Sequence, residues 1–94
     1  MEHSAFSTHD LPLAAFLHST RRLRFLRCEP ERGRVSFLFE DTRGEGPSVE
    51  SEFIAGAPAP ANAFYESIRF LRRTMDATQS RNREQGQNDR HAHS

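Results

Sequence analysis

The chain has no tryptophan, no lysine, a single cysteine and no long apolar run. Each of these gaps excludes something. One thiol, Cys28, forms no intrachain disulfide and no cysteine-based metal site within one chain, and it points to a reducing interior. No apolar run approaches the roughly 20 residues that a membrane-spanning helix needs. The first residues lack the charged start and apolar stretch of a signal peptide, so a cytoplasmic location is expected. Without tryptophan, apolar burial depends on eight phenylalanines, each worth roughly 1.5–3 kcal/mol when fully buried. A length of 94 residues leaves room for one modest core and no second domain. Acidic and basic residues balance at 13 each, so net charge gives no argument for a nucleic-acid or membrane partner. All the basic residues are arginine, which GC-rich coding produces and which also supplies planar, five-donor groups suited to phosphate and carboxylate.

The most informative stretch is Arg21 to Asp41, where two runs of alternating apolar and polar residues flank the turn-rich Glu29-Pro30-Glu31-Arg32-Gly33. The pattern predicts a β-hairpin, because side chains two apart share a face of the pleat. Leu23 and Phe25 fall on one face with Val35, Phe37 and Phe39. Arg22, Arg24 and Leu26 fall on the other with Ser36 and Leu38, making a second face that reads as basic with apolar spots.

Around the hairpin, Ala5 to Thr8 reads as a short strand. Asp10 is placed to cap a helix over LPLAAFLHST, with Pro12 harmless in its first turn and Leu13, Phe16 and Leu17 on its buried stripe. Glu40 to Gly46 reads as a charged loop in which Glu40, Asp41 and Glu45 are expected to be solvated. Pro47 opens a short helix, SVESEFIAG, stopped by a left-handed Gly56, with Val49 and Phe53 one turn apart. Phe64, Ile68, Leu71 and Met75 recur at helical spacing and predict a last amphipathic helix, supported by Glu66–Arg69 and Arg72–Asp76 pairs. Phe70 lies off that stripe and must pack under the short helix or face a partner. From Gln79 the sequence is almost wholly polar, so residues 79–94 are expected to be a disordered tail to a single domain over 1–78.

Taken in order, Thr8 to Leu17, the hairpin end Phe37-Leu38-Phe39-Glu40-Asp41, Glu52 to Gly56 and Phe64 to Arg73 resemble a family of short bacterial and phage-related proteins catalogued as a domain of unknown function. The resemblance runs from Phe6 to about Met75. It implies a small accessory protein, often in phage or mobile-element surroundings, and brings no catalytic residues with it.

The residues themselves carry little chemistry. His3, His9 and His18 are scattered, and His91-Ala92-His93 lies in the tail, so no metal site is expected. His18 with Cys28 or Ser19 lacks a strained nucleophile turn, an oxyanion loop and a third group to orient a base. His18 is expected to serve the last carbonyls of its helix as a cation, and Cys28, at a strand end, reads as a small hydrophobe. Gly44 and Gly46 lack the lysine and strand-to-helix context of a phosphate cradle.

The expectation is an α+β domain of order β-α-β-β-α-α, its small antiparallel sheet packed on one face by helices. It is expected to be a non-enzymatic accessory or protein-interaction module without cofactor, metal or small-molecule substrate. Arg22, Arg24, Leu26, Leu38 and Phe70 form its partner surface, and self-association as a dimer is favoured over a monomer. The alternative is a nucleic-acid-associated protein using Arg21, Arg22, Arg24, Arg34, Arg69, Arg72 and Arg73 on phosphates.

Overall fold

The computed structural model describes the backbone of residues 5–93 and the side chains of residues 5–81. The elements run β1 (Ala5–Thr8), α1 (Leu11–Ser19), β2 (Arg24–Glu31), β3 (Arg34–Glu40), α2 (Gly46–Ile54) and α3 (Ala61–His93). This is the α+β order read from the sequence. The three strands form one antiparallel sheet in the order β1-β3-β2, so β3 is central and the other two are edges. His3 and the side chains of His91 and His93 lie outside the described residues.

The hairpin turn is tighter than its turn-rich sequence predicts. Only Arg32 and Gly33 are outside the strands, with φ of 49° and 82°. Positive φ at both central residues defines the two-residue turn whose twist matches that of the paired strands. Pro30 therefore sits inside β2, opposite Val35. An edge strand tolerates it because the missing N–H has no central ladder to complete.

A second departure is a β-bulge. The register passes from Phe25 opposite Phe39 to Arg27 opposite Leu38, leaving Leu26 as the extra residue. The parity of β2 reverses at that point. Phe25 before the bulge and Cys28 after it both lie on the core side with Phe39 and Phe37, whereas Arg24, Arg27, Glu29 and Glu31 share the outer face with Glu40, Leu38, Ser36 and Arg34. Two expectations are corrected here. Cys28 is mid-strand, half-buried and packed against the core, and burial pushes its thiol up to about 11. Leu26 is exposed at the bulge and belongs to neither face of the regular pleat.

On the inner face Val35, Phe37 and Phe39 of the central strand are buried, the two phenylalanines completely. α1 packs over them with Leu13, Ala14, Ala15, Phe16 and Leu17 all buried, a helix enclosed on most sides. Asp10 caps it, accepting from the Leu13 N–H at 3.2 Å. α3 lies beside α1 and reaches β2 and β3. Its stripe is centred on fully buried Leu71, with Phe64, Ile68 and Met75 partly buried around it.

α2 is anchored by a residue expected to be solvated. Asp41 is buried, and its two carboxylate oxygens accept from the N–H groups of Glu45 and Gly46, each at 2.7 Å. It follows Phe39 by two residues and so continues the inward side of β3. The helix ends as expected: Gly56 has φ 90°, its N–H reaches the Phe53 carbonyl and the Ala57 N–H reaches Glu52, which satisfies two terminal carbonyls.

α3 continues to His93 where a disordered tail from Gln79 was expected. The Glu66–Arg69 and Arg72–Asp76 pairs are not closed within 4 Å among the described residues. Arg69 instead lies over the Tyr65 ring, 5.8 Å from its centroid.

Candidate functional site

The outer sheet face differs from the basic surface that the alternation suggested. It carries three arginines, Arg24, Arg27 and Arg34, and three glutamates, Glu29, Glu31 and Glu40. What the alternation alone did not show was the bulge, which turns Arg27, Glu29 and Glu31 of β2 to the outer face together, and the register that sets Glu40 of β3 opposite Arg24. Arg24 pairs with Glu40 at 3.3 Å and Arg27 with Glu29 at 2.7 Å. Leu38 is half-buried between Arg27 and Ser7. Arg22 precedes the strand and is turned away to a two-pronged bond with Glu52, at 2.7 and 3.2 Å. That bond holds the Glu52 carboxyl below its usual range. A phosphate approaching this face would compete with carboxylates already in place.

The surface that gathers most chemistry is a seam between the end of α1, the start of β2 and the middle of α3. Phe70 stacks on His18 with centroids 5.2 Å apart and meets Phe25 edge-on at 5.8 Å. Phe25 in turn meets Phe39 edge-on at 5.5 Å, which ties the surface rings to the core. Phe70 remains 41% exposed, which leaves part of it open to a partner. It packs on His18 and Phe25, while the ring lying between α1 and α2 is Phe53, 5.2 Å from Phe16.

His18 is not the carbonyl-binding cation that its place near the end of a helix suggests. The last turn of α1 is closed by Thr20, whose backbone N–H and hydroxyl both donate to the Phe16 carbonyl, at 3.1 and 2.6 Å. The imidazole Nδ1 is hydrogen-bonded to Ser67 Oγ at 2.7 Å. Burial, followed by the neighbouring Arg21 charge, lowers its pKa, so the ring is neutral at pH 7. Ser67 is itself buried, and the bond fixes the imidazole plane against Phe70.

This predicts a pH signature. The folded state binds fewer protons at His18 than the unfolded chain just below the ordinary value of 6.5. His18's contribution is therefore intact above pH 6.5, falls as pH drops through it, and levels off below the folded pKa. Urea midpoints from pH 7.5 to 5.5 should fall more for the wild type than for His18→Gln, which keeps a partner for Ser67 and does not titrate. A difference independent of pH would mean that folding leaves His18 unperturbed.

Arg21 completes the seam. It follows the α1 cap with φ 57°, the left-handed region where glycine is usual and other residues are strained by roughly 1–2 kcal/mol. Two open hollows meet there. One of about 510 Å³ is lined by His18, Arg21, Leu23, Arg24, Phe25 and Phe70. The other, of about 340 Å³, shares His18, Arg21 and Phe70 and adds Ser19, Ala63, Glu66 and Ser67.

Of the residues singled out from sequence, Arg21, Arg24 and Phe70 come together here. Arg22, Arg34 and Leu38 lie elsewhere, and Arg69, Arg72 and Arg73 are exposed along α3. The reading missed His18, Phe25 and Ser67 as members. Ser67 falls between Phe64 and Leu71 on the helical stripe, and a hydroxyl at such a position signals a buried polar partner.

No group of three or more histidine, cysteine, aspartate or glutamate side chains able to hold a metal occurs among the described residues. No described helix is long and apolar enough to cross a membrane. No family model, curated protein or solved structure matches the chain.

Proposed function

We propose that the protein is a non-enzymatic interaction module whose partner surface is the seam around Phe70. The supporting observation is Phe70 itself, an aromatic ring left 41% exposed and held in orientation by His18 and Phe25. Aromatic and arginine anchors set in shallow, well-packed depressions dominate protein interfaces. The Phe70 surface has both kinds of group, with Arg21 and Arg24 lining the hollow. A reducing, cytoplasmic setting fits the single, half-buried thiol.

The nucleic-acid reading moves with the arginines. On the outer face Arg24 and Arg27 are engaged by glutamates. Phe70, with Arg73 one turn further along α3, provides a better stacking platform than the hairpin does. Both readings therefore meet at one residue.

The test is a photo-cross-linking side chain placed at position 70, with the same group at position 38 as the control, in cells expressing the protein. We expect a discrete protein adduct at 70 and none at 38, its mass showing whether the partner is a second copy. With the cross-linker moved to exposed Arg73, Phe70→Asp should abolish the adduct, far-UV circular dichroism checking that the fold is retained. Nucleic acid in the adduct would establish the second reading. The same yield at both positions, or none at 70, would refute the seam as a partner surface.

A further inference from the structure

Resting on that reading of the seam, we infer that its hollow takes the carboxylate end of a partner chain whose last residue is aromatic. The larger hollow is lined by three aromatic or imidazole rings, Leu23 and two arginines, and by no carboxylate. Its walls therefore suit an apolar group that carries negative charge. Arg24 is held on its outer side by Glu40 at 3.3 Å. Arg21 has no carboxylate within 4 Å among the described residues. Its fork is thus the natural two-pronged donor to a carboxylate, while an incoming ring packs edge-to-face on Phe25 and Phe70.

The shape favours a chain end over a free small molecule. Sites for small molecules enclose most of their ligand, whereas both hollows here are open and adjoin, with His18, Phe70 and Arg21 common to both. The terminal aromatic residue fills the larger, carboxylate-free hollow with its carboxylate at Arg21, and the preceding residue, an uncharged one, lies over the smaller hollow, which Glu66 also lines. Capture of a chain terminus by fixed donors is an established recognition mode. The left-handed backbone at Arg21 supports a binding role, since a strained non-glycine residue persists where its side chain is needed and the surroundings hold it. The neutral His18 adds no charge; it supports the Phe70 ring.

The test is fluorescence anisotropy with a labelled peptide, Gly-Ser-Gly-Ser-Gly-Phe, as the free acid, as the C-terminal amide, and with the last residue changed to Gly. The free acid should bind saturably. The amide and the Gly-ended peptide should each be weaker by about tenfold or more, the loss of one charged hydrogen-bonding contact or one buried ring. Arg21→Gly should weaken the free acid to the level of the amide without lowering the thermal midpoint, because glycine relieves the left-handed strain. A purely structural role for Arg21 predicts the opposite pair of results. Equal binding of acid and amide, unchanged binding by Arg21→Gly, or no saturable binding up to millimolar peptide would overturn the inference. Should the position-70 adduct persist while the peptides fail, the seam is still a partner surface with a different occupant. Loss of both would remove the two proposals together.

Discussion

Phe37→Ala should unfold the domain or bring it close to unfolding. Phe37 is fully buried on the central strand, between Thr8 on one side and Cys28 on the other, so truncation leaves a cavity in the middle of the sheet, beneath the helices. Deleting a buried phenyl ring costs about 3–5 kcal/mol, the transfer term plus the unfilled space. Net stabilities of roughly 0.05–0.15 kcal/mol per residue give a domain of this size about 4–12 kcal/mol in total. The loss is therefore a large fraction of what holds the fold together. Phe37→Leu keeps most of the volume and should cost far less, and Phe70→Ala, at a surface ring, less again. Urea titration followed by far-UV circular dichroism measures the order directly. Phe70→Ala proving more damaging than Phe37→Ala would place the core on the wrong side of α3.

What was legible in the chain follows from how local each signal is. The order of elements, the Asp10 cap, the left-handed Gly56 and the buried Phe37 and Phe39 each depend on residues within a few positions of one another. Strand alternation and helical spacing report on such neighbours. The bulge at Leu26 was also present in the pattern. Apolar residues of the first hairpin strand occupy odd positions at Leu23 and Phe25 and an even one at Cys28, and a single extra residue is the simplest way to reconcile them. The charge balance of the outer face was hidden for a different reason. Arg24 and Glu40 are 16 residues apart, and their pairing depends on the hairpin register, which the bulge shifts by one. Most hidden was the seam, since His18 and Ser67 are 49 positions apart and meet only because α1 and α3 pack side by side. Phe70 was visible as a residue off its stripe, but its companions were not.

The second large effect belongs to Gly46, and it comes from space rather than backbone freedom. Gly46 is buried at the first position of α2. A Cβ placed there would run into the Phe6 ring at Cγ and Cδ1 and would lie 2.9 Å from Asp41 Oδ2. Neither neighbour yields easily. Asp41 is buried and fixed by two backbone N–H groups, and Phe6 is packed against the core from β1, opposite Phe39. Overpacking of this kind costs about 1–3 kcal/mol. Here it also threatens the Asp41 cap, whose loss adds about 0.5–2 kcal/mol. Gly46→Ala should therefore approach the damage of a core truncation, with the failure concentrated in β1, an edge strand of four residues. Amide exchange should accelerate along β1 before it does along β2. The decisive measurement is a double-mutant cycle: Phe6→Leu frees space, so Gly46→Ala should cost at least about 1 kcal/mol less in that background than in the wild type. Strict additivity of the two changes would show that the Phe6 ring is not what excludes a side chain at position 46.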